Sequence, residues 1–154
     1  MRTVLALAAM TAMLGPASLP AKPVLAADPK AVAKIHGGIV DCVGCNLAGA
    51  DLTNTCVKEH DLTGANFDGA NATLMCMSFA NFTNASFRGT ELSGANMAGA
   101  KMDGADLTGA KTSITSFLGT DLTKVKGLTQ AQLDVACGDA KTRLPPGLKV
   151  HTCK

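Results

Sequence analysis

Six cysteines and three histidines are the reactive side chains of this 154-residue chain: Cys42, Cys45, Cys56, Cys76, Cys137, Cys153, and His36, His60 and His151. Six thiols allow fifteen disulfide pairings, and the sequence spacing by itself selects none of them. Cys42-x2-Cys45 with Cys56 and His60 downstream has a superficially zinc-like spacing. Asn46 follows Cys45, so the Cys-x-x-Cys-His signature of c-type haem attachment is not met. Thioredoxin-like exchange needs a βαβ setting that the flanking pattern does not offer. No nucleophile, base and orienting group come together in the sequence, and Asp and Glu are dispersed rather than paired. We therefore expect no enzyme and no cofactor.

The redox compartment decides what six thiols become. Arg2 precedes an apolar run from Val4 to Leu14, which Gly15, Pro16 and Pro20 interrupt. Val24-Leu25-Ala26 supplies a peptidase-type site, with cleavage expected before Ala27, or one residue later. A membrane span needs about 20 apolar residues, more than this run contains. Residues 1–26 therefore read as a signal peptide, and the processed chain is expected to be periplasmic or secreted, with no stable membrane insertion. Disulfides are the ordinary fate of cysteines there.

The formal net charge is +2, and residues 27–154 hold 12 acidic and 12 basic residues. No basic stripe marks a nucleic-acid partner. Trp and Tyr are absent and Phe numbers five, so the core must be thin and regular.

Residues 45–124 repeat every five residues without a slip, from Cys45-Asn-Leu-Ala-Gly to Thr120-Asp-Leu-Thr-Lys. The third position is large and apolar except at Ala72 and Thr112, the first is small in most units, chiefly Ala, the second mostly polar, and the fifth often Gly. This period fits neither a helix nor a continuous strand. It fits a short extended piece closed by a corner. Positions one and three then face inward, two faces outward, and four and five turn the chain. Four such sides make a 20-residue coil, and sixteen pentads a stack about 20 Å tall.

The pattern A-[DN]-[LFM]-x-G resembles the pentapeptide-repeat family. The resemblance implies an all-β fold, a right-handed quadrilateral β-helix, here with short helical caps. It also implies stacks of inward residues 20 apart, such as Leu47, Phe67, Phe87 and Leu107. The domain plan is a signal peptide (1–26), an N-terminal cap (27–44), the solenoid (45–124) and a C-terminal cap (125–154) stapled by a disulfide. Asp28-Pro29 should open a short helix through Ile35 that ends at Gly37-Gly38. Thr129-Gln-Ala-Gln132 is a capping box for a second, running to about Ala136, with Leu128, Leu133 and Val135 covering the last coil.

In that frame Cys56 and Cys76 are second-position residues stacked one coil apart, within Cα range of a disulfide. Cys137 and Cys153 bracket the C-terminal cap, and Cys42 and Cys45 are left as the third pair. His60 should point inward and Cys56 outward, which argues against zinc. Thr53, Thr73, Ser93 and Ser113 form a hydroxyl ladder of the kind that binds ice on some β-solenoids. The uneven neighbours Asp51, Asn71, Glu91 and Lys111 favour turn residues bonding their own backbone instead. Glu91–Lys111 and Lys101–Asp121 are expected surface ion pairs.

Leu74, Phe79, Ile114 and Leu118 should be exposed and are the candidate interface. The expected role is a noncatalytic exported scaffold or protein-interaction module, its partner an envelope protein, a surface, or a second copy in a homodimer. Some pentapeptide-repeat proteins mimic DNA and bind a type II topoisomerase. Residues 45–124 carry eight acidic and five basic residues, too balanced for a good mimic.

Overall fold

The computed structural model describes residues 26–38 and 41–154. The expected signal peptide, apart from Ala26, lies outside the described residues, as do Ile39 and Val40.

The middle of the chain is a coil stack held in parallel register at a separation of 20. Asn46 bridges to Asn66, Asn66 to Ser86, Ser86 to Asp106 and Asp106 to Lys126, and the other three sides repeat the scheme. The ladder is made of hydrogen bonds such as Leu47 N–H to Asn66 O (2.7 Å) and Asn66 N–H to Cys45 O (2.8 Å). A local bond between residues three apart closes each corner, as Ala50 N–H to Leu47 O (3.1 Å) does. We number the sides by their first pentads: face one begins with residues 45–49, face two with 50–54, face three with 55–59 and face four with 60–64.

Every third-position residue from Leu47 to Leu122 is buried, including the two irregular ones, Ala72 and Thr112. Phe67 and Phe87 stack face to face with ring centres 4.8 Å apart, and Phe82 meets both edge-on at 5.8 and 5.2 Å. Threonines at buried positions are kept satisfied by the coil below. The hydroxyls of Thr90, Thr115 and Thr120 donate to the carbonyls of Phe67, Leu92 and Met97 at 2.6–2.8 Å. Thr112 donates to Gln132 O (2.7 Å). Among the described residues no buried side-chain polar atom lacks a partner, which matters because an unpaired buried hydroxyl costs about 1–3 kcal/mol.

The regular register extends beyond the expected limits. Cys42 N–H donates to Asp61 O and Gly44 N–H to Thr63 O, so residues 41–44 already lie on face four, below the first complete coil. Lys126 lies over Asp106, Cys137 over Ser116 and Arg143 over Asp121, giving a partial fifth coil.

At the front, helix α1 (Pro29–His36) starts where Asp28 accepts Lys30 N–H at 2.9 Å, and it buries Ala31 and Ile35. Helix α2 (Gln130–Asp134) has the expected capping box but ends earlier than expected. The chain must leave the helix to pair as β1 (Cys137–Gly138), which runs parallel to β2 (His151–Thr152). Val135 consequently turns outward instead of covering the last coil, whereas Leu133 is buried there.

Leu92→Asp should cost at least about 4 kcal/mol, because it places a charge in a packed stack. Ser93→Ala, one residue away on the surface, should cost less than about 1 kcal/mol. Urea unfolding followed by circular dichroism compares the two; equal midpoints would refute the inward assignment.

Candidate functional site

The cysteines separate into two groups. Cys42 and Cys45 form a disulfide with a Cα separation of 5.3 Å. Cys42 occupies a third position and Cys45 the next first position, and both point inside around one corner, so their sulfurs converge. Cys137–Cys153 is also closed, with Cα atoms 4.8 Å apart, and fastens β2 onto β1.

Cys56 and Cys76 are thiols, which departs from the expected third bridge. They are register partners, as expected. Facing residues of an in-register parallel ladder project side by side, at the strand spacing of about 4.8 Å. A disulfide prefers Cβ atoms about 3.8 Å apart.

His60 also differs from expectation. It is half-exposed rather than inside, and its Nδ1 lies 3.2 Å from Asp41 Oδ1. The first position admits bulk when it is apolar, as fully buried Met75 shows, but a polar imidazole would need a partner inside and finds one outside in Asp41. Asp41 also accepts Asp61 N–H, and these two contacts hold its carboxyl below the usual carboxylate range. His36 Nε2 contacts Asp51 O at 3.0 Å, tying α1 to the first coil. Among the described residues no three His, Cys, Asp or Glu side chains gather as metal ligands.

Three of the four hydroxyls of the ladder are engaged within their own pentads. Thr53 and Thr73 donate to Asp51 and Asn71 at 2.6 Å, and Ser93 donates to Glu91. Backbone N–H groups of Thr53 and Thr73 join them at 3.1 and 3.2 Å, and the same turn recurs on face four in Thr63 N–H to Asp61 (3.0 Å) and Thr123 N–H to Asp121 (3.0 Å). These donors lower the carboxyl pKa values of Asp51, Asp61 and Asp121, led in each case by the threonine hydroxyl. Lys111 pairs with Glu91 at 3.1 Å as expected. Asp121 pairs with Arg143 at 3.1 Å instead of Lys101, because Arg143 lies over it in the partial fifth coil.

Face three is different in kind. Its outer column runs Cys56, Cys76, Asn96, Ser116 and then Cys137. Its first pentad carries Lys58 and Glu59, paired at 3.2 Å, but residues 75–79, 95–99 and 115–119 contain no charged residue, whereas the corresponding coils of the other faces carry Asp68, Arg88, Glu91, Lys101 and Lys111. Leu74 and Ile114 stand at one corner of this face and Phe79 at the other. They are 57%, 78% and 59% exposed, and Leu118 is 37% exposed. All four were expected outside.

Periodicity did not reveal the backbone beneath them. Leu74, Phe79 and Ile114 have φ of 57°, 60° and 58°, in the left-handed region that Gly occupies at most other corners. A non-glycine residue there costs about 1–2 kcal/mol, and a β-branched one such as Ile is a marked outlier. The fifth position of the repeat was the available signal, since it is the corner that demands this conformation. Gly94 and Gly99 complete the arrangement. A Cβ on Gly94 would come within 2.6 Å of Leu74 Cδ2, and one on Gly99 within 2.5 Å of Phe79 Cε1. Glycine one coil up thus lets each apolar side chain lie along its corner. A shallow groove of about 280 Å³ lies on face two beside α2, lined by Ala110, Lys111, Thr112, Gln132 and Val135 among others. It gathers no set of catalytic groups.

The family model for pentapeptide repeats matches residues 41–75 and 76–111, in eight copies. With the 20-residue register, this identifies residues 41–111 as pentapeptide repeats wound into a β-helical solenoid. The pentapeptide repeat protein Rfr23 from the cyanobacterium Cyanothece 51142 is similar at 25% identity and a TM-score of 0.53, covering 65% of this chain and 64% of that one. HetL, a pentapeptide repeat protein involved in heterocyst differentiation regulation from the cyanobacterium Nostoc sp. strain PCC 7120, is similar at 20% identity and a TM-score of 0.43, covering 71% and 54%. The chain thus spans less than two thirds of either structure's length. No curated protein matches it.

The Asp–Thr turns predict an acid limb of stability. A carboxylate whose folded pKa is depressed contributes fully above its unfolded value and loses that contribution as pH falls. Unfolding free energy from urea titrations should therefore be lost progressively below about pH 4. In Thr63→Val and Thr123→Val, which remove hydroxyl donors to Asp61 and Asp121, that acid-dependent loss should be smaller.

Proposed function

We propose that this protein is a noncatalytic interaction module that uses face three to dock an uncharged, apolar protein surface in an oxidising compartment outside the cytoplasm. The carrying observation is the placement of Leu74, Phe79 and Ile114 at left-handed corners. Glycine or asparagine would serve the fold better at these positions. Large side chains held in a costly conformation and exposed to water do nothing for the solenoid that smaller ones would not. Backbone strain kept at a surface directs attention to a role outside folding. Their flanking of three successive pentads without charge, 75–79, 95–99 and 115–119, supports a partner of matching polarity, since burying unpaired charge opposes association. The two disulfides and the N-terminal apolar run support the export assignment.

Two experiments test this reading. Ile114→Gly should stabilise the chain by about 0.5–1 kcal/mol, seen as a higher denaturant midpoint at unchanged slope; destabilisation would remove the strain argument. Envelope extract should then yield a partner that wild type and Lys101→Glu retain but Leu74→Glu and Phe79→Glu lose, with all variants folded. Equal retention by all would overturn the docking face. A homodimer that dissociates in the corner variants would replace the foreign partner with a second copy.

A further inference from the structure

A net charge near zero hides a separation of charge along the rod. Residues 27–124, the front cap and the repeats, hold ten acidic and seven basic residues, whereas residues 125–154 hold two acidic and five basic. The two groups of cations are also used differently. Within the repeats Lys58, Arg88, Lys111 and Lys124 each pair with a carboxylate at 3.0–3.3 Å, which leaves Lys101. In the C-terminal cap Arg143 is paired, with Asp121. Lys126, Lys141, Lys149 and Lys154 are exposed, and among the described residues none of them has an ion-pair partner. The two acids of the cap are engaged by neutral donors instead. Asp134 accepts Gln130 Nε2–H at 2.7 Å, and Asp139 accepts the N–H groups of Gly119, Lys141 and Thr142 at 2.9–3.0 Å.

The register spreads these lysines around the end of the rod rather than along one side. Lys126 lies over Asp106 on face one. Lys149 sits at the start of α2, where its N–H donates to Gln130 Oε1 (3.0 Å) and its carbonyl accepts Gln130 Nε2–H (2.9 Å). Lys141 follows Asp139, which holds Gly119 at the corner of faces three and four. Lys154 follows β2, which is paired to Cys137–Gly138 above face three. A thread-like polyanion crossing such an end meets some of these points at once, whereas a flat anionic sheet meets all of them together. Val135, 52% exposed, and the exposed Pro146–Gly147 turn belong to the same cap, so apolar groups stand among the cations. That mixture matches the surface layer of a bilayer, where cations meet phosphate and aliphatic groups meet the acyl boundary.

We propose that the C-terminal cap is a docking end for an anionic phospholipid bilayer, on which the rod stands upright without crossing it. Each lysine near such a surface raises partitioning about fivefold, and the attraction fades over about 8 Å at physiological salt. Four coils are about 20 Å tall, so most of the acidic repeats lie beyond that range when the cap faces the bilayer. A rod lying flat brings those carboxylates to the anionic surface and is repelled. Among the described residues no helix is long and apolar enough to cross a membrane. Leu74 and Phe79 take no part in this contact, so it does not depend on the docking role of face three.

The test is flotation of the full chain with vesicles of phosphatidylglycerol and phosphatidylcholine, against vesicles of phosphatidylcholine alone. The neutral vesicles measure any apolar contribution, which is common to both. Binding to the anionic vesicles should exceed binding to the neutral ones by at least about tenfold, and the excess should vanish at about 1 M salt, where screening shortens to about 3 Å. Lys126→Gln/Lys149→Gln should lower the partitioning about 25-fold, fivefold for each lysine. Lys30→Gln/Lys34→Gln, at the opposite end in α1, should leave it unchanged. Circular dichroism confirms that both variants are folded. Equal binding to the two kinds of vesicle would overturn the proposal, as would front and back variants that bind alike. Binding to soluble dextran sulfate without binding to anionic vesicles would assign the cap to a polyanionic chain and overturn the bilayer reading.

Discussion

Each residue of the solenoid lies over the residue 20 positions away, and this parallel register is the constraint on which the rest depends. The ladder satisfies the backbone, so burial needs no continuous strand or long helix, only a repeated inward pair. It makes the core a set of columns, in which Phe67 stacks on Phe87 because Leu47 and Leu107 occupy the same line. It also makes every outward column a list that can be read along the axis. Face three is legible as a surface because its column passes from thiols to Asn96 and Ser116 without meeting a charge in coils two to four.

The repeat exposed the inward positions clearly, because a period of five with a large apolar third residue has few other solutions. The exposed residues at the corners followed from the same alternation. What the period could not convey was side-chain direction within one position. Cys56 and Cys76 have the right Cα register for a disulfide, yet parallel projection keeps their sulfurs side by side rather than convergent. Cys42 and Cys45 are three residues apart and meet around an inner corner, where convergence is natural. His60 occupies an inward position but is polar where Met75 is apolar, so it turns to Asp41.

The ends departed further from the periodic reading, because there local rules compete with the ladder. Thr129 and Gln132 start a helix as their sequence requires. Its length, however, is set by the distance to the next ladder site, and Cys137 must arrive over Ser116. That demand ends α2 at Asp134 and leaves Val135 outside. The same demand brings Arg143 over Asp121 and redirects an ion pair expected for Lys101. Tertiary register thus overrides local preference where the two meet.

The Gln132 side chain has a consequence for assembly. Its amide donates to Leu107 O (2.8 Å) and Ala110 O (2.9 Å), and the second belongs to the column of carbonyls that a further coil would otherwise engage, as Asn71 N–H engages Ala50 O. A stack of identical layers has no inherent stopping point, and an open end is a template on which another chain can grow into a fibre. By seating an amide and a short helix on that end, the protein terminates its own polymerisation on this side of the rod. The rod is thereby a ruler of set length, and the separation between α1 and α2 is fixed by the number of repeats between them.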